Sequence, residues 1–185
     1  MASKFLYLVR HGEAGEDGEL TARGEQQARL TGERLRDVPV TGIYTSPEPR
    51  ALRTAEILAG FRPGLQPVRS DLLGDYIPSD PALADLPADY HRLVRGYSPA
   101  ERAAGAKLAR SAVTRFGLAG SPEPAGQDEH DLIVTHNFLI GWFVRAALGA
   151  PDWRWLGLNQ QNCALTVIRY RPGVPPVLQQ RITVM

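Results

Sequence analysis

The 185-residue chain has a single cysteine, Cys163. No internal disulfide can form, and a C-x-x-C redox or metal motif is excluded. Histidine is also sparse. His11, His91, His130 and His136 contain no H-x-x-x-H or H-E-x-x-H pair, so a local zinc motif is missing and no metal is expected. Neither charge sign is in excess: 21 basic and 20 acidic residues leave a formal +1. A general nucleic-acid binder normally carries a basic surplus, so no nucleic-acid polymer is expected as a partner. No apolar run reaches the ~18 residues that span a bilayer; the nearest, Phe138 to Val144, is cut by Arg145. The N-terminal apolar stretch is broken by Arg10 and lacks a small-residue cleavage site, which does not fit a signal peptide. The expectation is a soluble, cytoplasmic protein with no membrane partner. Nothing in the sequence speaks to its oligomeric state.

What is present is ordinary for a globular domain: 43% apolar and 22% charged residues. The length predicts a single domain over residues 1–185. Only two of the 21 basic residues are lysines, Lys4 and Lys107. Individual arginines therefore have to be argued by position.

Phe5 to Val9 is a short continuous apolar run ending at Arg10-His11-Gly12, which suits a strand buried on both faces. Thr21 is placed to cap a helix that follows. Gly42 to Thr45 reads as a second strand. Ser46, with Pro47 at the first helical position, would start a helix running to Gly60. Val68 falls in a short edge strand. Residues 71–99 are punctuated by Pro78, Pro81, Pro87 and Pro99 and read as a substrate-facing insert of loops and short turns. Pro99 to Phe116 has a helical pattern, and Gly117 to Asp128 a loop composition. Asp131 to Thr135 is the clearest strand and leads through His136-Asn137 into a helix ending near Gly149. Ala164 to Ile168 and Val177 to Val184 read as two closing strands joined by a hairpin. Alternating strands and helices predict a three-layer α/β/α structure around a mostly parallel central sheet. Ligands of such sheets collect at the carboxyl ends of strands. Arg10-His11, the segment from Ser46 to Arg50, and His136 all fall there.

Four blocks now stand in order: Leu8-Val9-Arg10-His11-Gly12-Glu13; Leu20-Thr21-x-x-Gly24-x-x-Gln27-Ala28; Ser46-Pro47-x-x-Arg50-Ala51-x-x-Thr54-Ala55; and Val134-Thr135-His136-Asn137. Together they resemble the signature of the histidine phosphatase superfamily, the phosphoglycerate-mutase-like fold. The resemblance implies phospho-transfer chemistry with His11 as the nucleophile and Asn137 lending its backbone N–H to the phosphate. Gly12 and Glu13 complete the first block and are carried over as substrate-binding positions.

The residue types suit that chemistry. A phosphoryl group in transfer spreads negative charge over its non-bridging oxygens, so catalysis is largely positioning and charge stabilisation. Arg10 and Arg50 offer planar, permanently charged forks. A neutral imidazole can attack phosphorus and later leave as the neutral ring, and the two nearby arginines disfavour its protonated form. His136, at a helix N-terminus, can donate to a phosphate oxygen.

Two features depart from the family. The mutase and cofactor-phosphatase branches carry a glutamate after the third strand; here Gly74 stands at its place. Asp75 is the candidate acid/base, with Asp71, Asp80 or no residue at all as rivals. After Glu13 the chain reads Ala14-Gly15-Glu16-Asp17 rather than a phosphate-holding Ser and Asn, and this acidic run opposes a highly anionic ligand. Within the insert, Tyr76, with Tyr90 and Tyr97, could contact substrate.

The leading expectation is a metal-independent phosphatase with no cofactor. It would hydrolyse small phosphomonoesters of nucleotide or sugar phosphate type through phospho-His11. Protein phosphohistidine phosphatase is the alternative, phosphoglycerate mutase a third. A phosphate-binding regulatory module without turnover is the non-enzyme reading.

Overall fold

The computed structural model describes residues 2–117 and 127–179. Six strands form one sheet: β1 (Lys4–Arg10), β2 (Gly42–Thr45), β3 (Pro67–Arg69), β4 (Glu129–Thr135), β5 (Leu165–Arg171) and β6 (Val174–Gln179). Their spatial order is β3-β2-β4-β1-β5-β6. The first four run parallel to one another, and β5 and β6 join antiparallel. Five helices accompany them: α1 (Ala22–Leu35), α2 (Pro49–Ala59), α3 (His91–Arg95), α4 (Pro99–Phe116) and α5 (Asn137–Ala147).

The side-chain alternation of the central strands builds two cores. Leu6 and Leu8 of β1, Ile133 of β4 and Ile168 of β5 pack on one face with Phe116, Phe143 and Trp155. Tyr7, Val9, Leu132, Val134 and Val167 pack on the other with Leu35, Ala51, Ala55 and Leu58. Every second residue therefore serves the opposite layer, and both faces are apolar because both are covered. At the amino end of β1, the Lys4 ammonium is buried against the carboxylates of Asp131 at 2.9 Å and Glu129 at 3.1 Å.

Local rules account for the helix starts. Thr21 caps α1, its hydroxyl accepting from the Gly24 N–H at 3.0 Å. Ser98 and Glu101 form a capping box at α4, with Pro99 in the first turn. The start of α2 differs from the expected one. Its N-cap is Glu48 and Pro49 opens the helix, two residues later than a Ser46-Pro47 start. Both prolines satisfy the rule for a first helical residue. Tertiary structure selects the second, because Ser46 is held in the site by its backbone N–H to the Val134 carbonyl. The closing hairpin turns at Gly173, with φ +75°, and its second strand begins at Val174 rather than Val177. The part expected to extend over 180–184 lies outside the described residues, as does 118–126 of the expected loop.

Residues 71–99 form three 3-10 turns and the short α3. Leu73, Ile77, Leu86 and Val94 are buried in the α4–α5 core. His130, which falls in none of the four sequence blocks, is buried; it stacks on Phe5 with ring centroids 4.6 Å apart and meets the Tyr7 hydroxyl at 3.1 Å. No helix among the described residues is long and apolar enough to cross a membrane.

Between β1 and α1 the chain makes a closed excursion. The Thr21 N–H donates to the Glu13 carbonyl at 3.0 Å, and Ala14 pairs with Leu20. At its base Gly12 and Gly24 meet backbone to backbone. A Cβ on Gly12 would lie 2.5 Å from the Gly24 carbonyl oxygen, and one on Gly24 would lie 2.0 Å from that of Glu13. Neither neighbour is a flexible side-chain end, so a methyl group has to move α1. Gly24→Ala is expected to destabilise the protein by about 1–3 kcal/mol or more, read by urea unfolding. A change within about 0.5 kcal/mol, the scale of an ordinary surface substitution, would contradict this contact.

Candidate active site

Three adjacent parallel strands, β2, β4 and β1, end side by side. Arg10 lies opposite Thr135, and Thr45 opposite Val134. The residues that follow each strand, His11, Ser46 and His136, are thereby brought into one cluster. The backbone at His11 is pinned from both sides. Its N–H donates to the Thr135 carbonyl at 3.0 Å, and its carbonyl accepts from the Asn162 side-chain amide at 3.0 Å. Cys163, at φ +56°, turns its N–H onto the Arg10 carbonyl at 3.0 Å.

The His11 ring is fixed by its own neighbour. Nδ1 lies 2.7 Å from the Gly12 carbonyl oxygen. A carbonyl only accepts, so Nδ1 carries the proton and Nε2 presents its lone pair. That lone pair faces Arg50, whose Nε is 3.3 Å away. Burial first, then the charges of His136, Arg50 and Arg10, push His11 down to about 4, against the Gly12 bond that favours the protonated ring. The arginines alone were expected to do this; desolvation is the larger cause. Gly12 is held in turn: its N–H donates to Thr54 Oγ1 at 3.0 Å, and that hydroxyl donates to the Arg50 carbonyl at 2.7 Å.

Arg50 stands at the centre of the polar contacts. Its Nη2 is 2.8 Å from Asp75 Oδ2 and 3.4 Å from His136 Nδ1. His136 is almost fully buried, with its ring centroid 5.1 Å from that of His11. Its Nε2 meets Ser46 Oγ at 2.8 Å and Glu48 Oε2 at 3.2 Å, and its Nδ1 lies 3.5 Å from Asp75 Oδ2. Arg10 anchors one end of its guanidinium on the Gln160 carbonyl, while its Nε is buried with no hydrogen-bond partner among the described residues. A donor left over at such a spot suits an oxyanion.

The remaining expected residues are placed as follows. Asp75 is in the cluster and half exposed. Of its rivals, Asp80 pairs with Arg102 at 2.6 Å, and Asp71 opens the turn that leads to Gly74. Asn137 is the first residue of α5, so its N–H has no acceptor within the helix. Its side chain is occupied by Leu158 and Gln160. Glu13, expected to touch substrate, has a carboxylate taken up by the Thr21 hydroxyl at 2.9 Å and by Arg23 at 3.4 Å. Tyr76, also expected at the substrate, donates its hydroxyl to the Leu72 carbonyl at 2.5 Å and packs against the α4–α5 core; burial raises its phenol. In both, a nearer backbone or cap partner engages the polar group.

Glu48 escaped the sequence reading altogether. Burial, the largest single effect, raises its carboxyl, but the hydrogen bond and charge of His136 together with the backbone N–H groups of Glu48 and Asp75 bring it down to about 2. The one available signal was Pro49, which marks Glu48 as the residue before a helix. Among the described residues, no group of three or more His, Cys, Asp or Glu side chains is placed to hold a metal ion.

A model of the histidine phosphatase superfamily (branch 1) matches residues 6–75 and 97–183. The chain is 32% identical over 176 residues to the Caenorhabditis briggsae protein named serine/threonine-protein phosphatase Pgam5, mitochondrial, covering 92% of this chain and 60% of that one. It thus spans about three-fifths of the Pgam5 length. It is 30% identical over 183 residues to the Salmonella choleraesuis protein named "Probable phosphoglycerate mutase GpmB", covering 90% of this chain and 85% of that one. Among solved structures, a mycobacterial glucosyl-3-phosphoglycerate phosphatase in complex with VO3 superposes with a TM-score of 0.70 at 25% identity, covering 95% of this chain and 96% of that one. An Entamoeba histolytica phosphoserine phosphatase shares the fold at a TM-score of 0.68 and 19% identity, covering 96% of this chain and 95% of that one.

The low His11 value has a consequence for stability. The unfolded ring binds its proton near the ordinary 6.5, the folded ring only near about 4. Between these values the unfolded state holds more protons, so stability falls as pH drops through the window. His11 is expected to account for about 2–3 kcal/mol of the loss between pH 7 and pH 4.5. Unfolding of His11→Gln should show a flatter pH dependence over that range, and equal slopes would contradict the burial argument.

Proposed function

The chain belongs to the histidine phosphatase superfamily, and on that premise we propose that it is a metal-independent phosphatase acting on small phosphomonoesters of nucleotide or sugar phosphate type. The observation that carries this reading is the His11 ring itself, its proton held on Nδ1 by the Gly12 carbonyl and its Nε2 lone pair turned to the Arg50 guanidinium, which donates to it.

In the first step Nε2 attacks phosphorus and the ester P–O bond breaks. The non-bridging oxygens lie against Arg50, Arg10 and His136, with the Asn137 N–H at the positive end of α5. The leaving oxygen takes the proton of Asp75. In the second step water gives a proton to the Asp75 carboxylate and attacks phosphorus, the P–N bond breaks, and its electron pair returns to Nε2. The net reaction is ester plus water to alcohol plus inorganic phosphate.

Asp75 without ligand rests on Arg50 and near His136 Nδ1, the groups a phosphate needs. A phosphate arriving there displaces the carboxylate. A dianion beside a carboxyl group favours its protonated form, which is the form needed to protonate the leaving oxygen.

The charges near the site argue against a strongly anionic substrate. Glu48 and Asp75 offset the two arginines. Arg23 is paired with Glu13, and Arg53 with Glu25 and Glu56. A phosphoglycerate or bisphosphate needs further cations for its second anion. This places mutase chemistry behind simple hydrolysis. The likeness to a protein named as a serine/threonine-protein phosphatase keeps a phosphoprotein substrate as the second reading. A panel of phosphorylated proteins and metabolites separates the two.

Acid-quenched turnover with labelled substrate is expected to leave phosphate on His11. His11→Ala should abolish both label and hydrolysis, and unchanged hydrolysis would overturn the reading. Asp75→Asn should lower kcat by about 10²–10⁴ on alkyl phosphates and far less on p-nitrophenyl phosphate, whose leaving group needs no proton. Equal losses on both would remove Asp75 from the acid/base role.

A further inference from the structure

Glu48 is an unusual N-cap. Its backbone has the extended cap conformation, φ −64° and ψ 140°, yet its side chain makes no capping bond to α2. Proline on both sides fixes the local chain direction, and the carboxylate turns to the site instead. Its two oxygens have different partners. Oε2 lies 3.2 Å from His136 Nε2, and Oε1 accepts the backbone N–H of Asp75 at 3.3 Å. Ser46 Oγ shares the same ring nitrogen at 2.8 Å and also accepts the Glu48 N–H at 3.4 Å.

We propose that Glu48 is a positioning residue that holds one proton of His136 on Nε2 and ties the Asp75 segment to the same ring, so that Nδ1 is the nitrogen turned to the phosphate and takes up the second proton, with which it donates to a phosphate oxygen. The inference rests on the phosphatase reading of the site and adds a residue to it.

The chemistry of the partners carries the argument. A carboxylate can only accept, so the nitrogen it faces must donate. A hydroxyl such as Ser46 can do either and cannot choose the tautomer alone. With Nε2–H held there, Nδ1 is left facing Arg50 and Asp75, where a phosphate would enter; a phosphate monoanion arriving there passes its proton to Nδ1, and the doubly protonated ring then donates to the dianion from Nδ1 while Nε2–H stays on Glu48. The charged and titratable groups around this ring are Glu48 and Arg50 from the β2–α2 segment, Asp75 from the segment after β3, and His11 with Arg10 from the end of β1. Of the two carboxylates, Glu48 is the poorer proton donor. It is half-buried, engaged through both oxygens and held as an anion by its bond to His136. Asp75, the more exposed of the two, is left to move protons. The pair thus divides the work that a single glutamate after the third strand would otherwise do.

The test uses the full-length protein with 15N-labelled histidine side chains, in the wild type and in Glu48→Gln, with kcat and KM measured from pH 5.5 to 9. The wild-type spectrum is expected to show His136 Nε2 protonated throughout the neutral range. In Glu48→Gln the ring should exchange between tautomers, kcat should fall at least about tenfold, and the alkaline limb of kcat/KM should move towards neutrality by about half a pH unit or more. KM should change much less than kcat. A wild-type His136 protonated on Nδ1 alone overturns the proposal without recourse to any variant. So does a Glu48→Gln protein with an unaltered His136 spectrum, whether its activity is retained or reduced equally at every pH. The spectra do not depend on turnover. Absence of hydrolysis by the wild type would therefore sink the phosphatase reading while leaving the tautomer question answered separately.

Discussion

The parallel register of β2, β4 and β1 is the constraint on which the site depends. Because Arg10 stands opposite Thr135 and Thr45 opposite Val134, the chain leaves the sheet at three adjacent points on one edge. A slip of one residue in any of these strands would turn its apolar side chains to the wrong layer and carry a histidine or Ser46 away from the others. Core packing and site assembly are thus one requirement. The alternation that buries Leu6 and Leu8 on one face and Tyr7 and Val9 on the other also fixes where His11 emerges.

Electrostatics then divides the two histidines into unlike partners. His11 is desolvated and surrounded by cationic groups, with its single proton tied to a backbone carbonyl, so the ring stays neutral near neutral pH, as the proposed attack on phosphorus requires. His136 is equally buried but has carboxylates near both nitrogens. One ring has a backbone carbonyl and cationic side chains for neighbours, the other carboxylates as well. This contrast arises from neighbours on different elements, since both rings follow a strand of the same sheet.

Much of this was legible in the sequence because it depends on local signals. The apolar runs ending at Arg10 and Thr135 identified the central strands, and their abrupt polar ends marked His11 and His136. Arg50 could be read from its block, and Asp75 from the lack of a glutamate at Gly74. Glu48 could not be read in this way. Its role depends on which of two prolines begins α2, and that choice is made by the contact between Ser46 and β4. Glu13 and Tyr76 looked like ligand residues because both are polar and near the motif. Their competing partners, Thr21, Arg23 and the Leu72 carbonyl, are a matter of three-dimensional proximity. The burial of His130 was equally out of reach: it belongs to no motif, and the rings that enclose it, Phe5 and Tyr7, lie on the neighbouring strand.

The glycine contact beneath the excursion from Ala14 to Leu20 separates two kinds of evolutionary freedom. The base is closed by Thr21 on Glu13 and by Gly12 against Gly24, so whatever the chain does beyond it returns to the same place. A longer or differently charged excursion can be grafted onto this stem without shifting the nucleophile. Descendants of such a scaffold can therefore rewrite these surface residues while the backbone at Gly12, next to His11, is inherited intact.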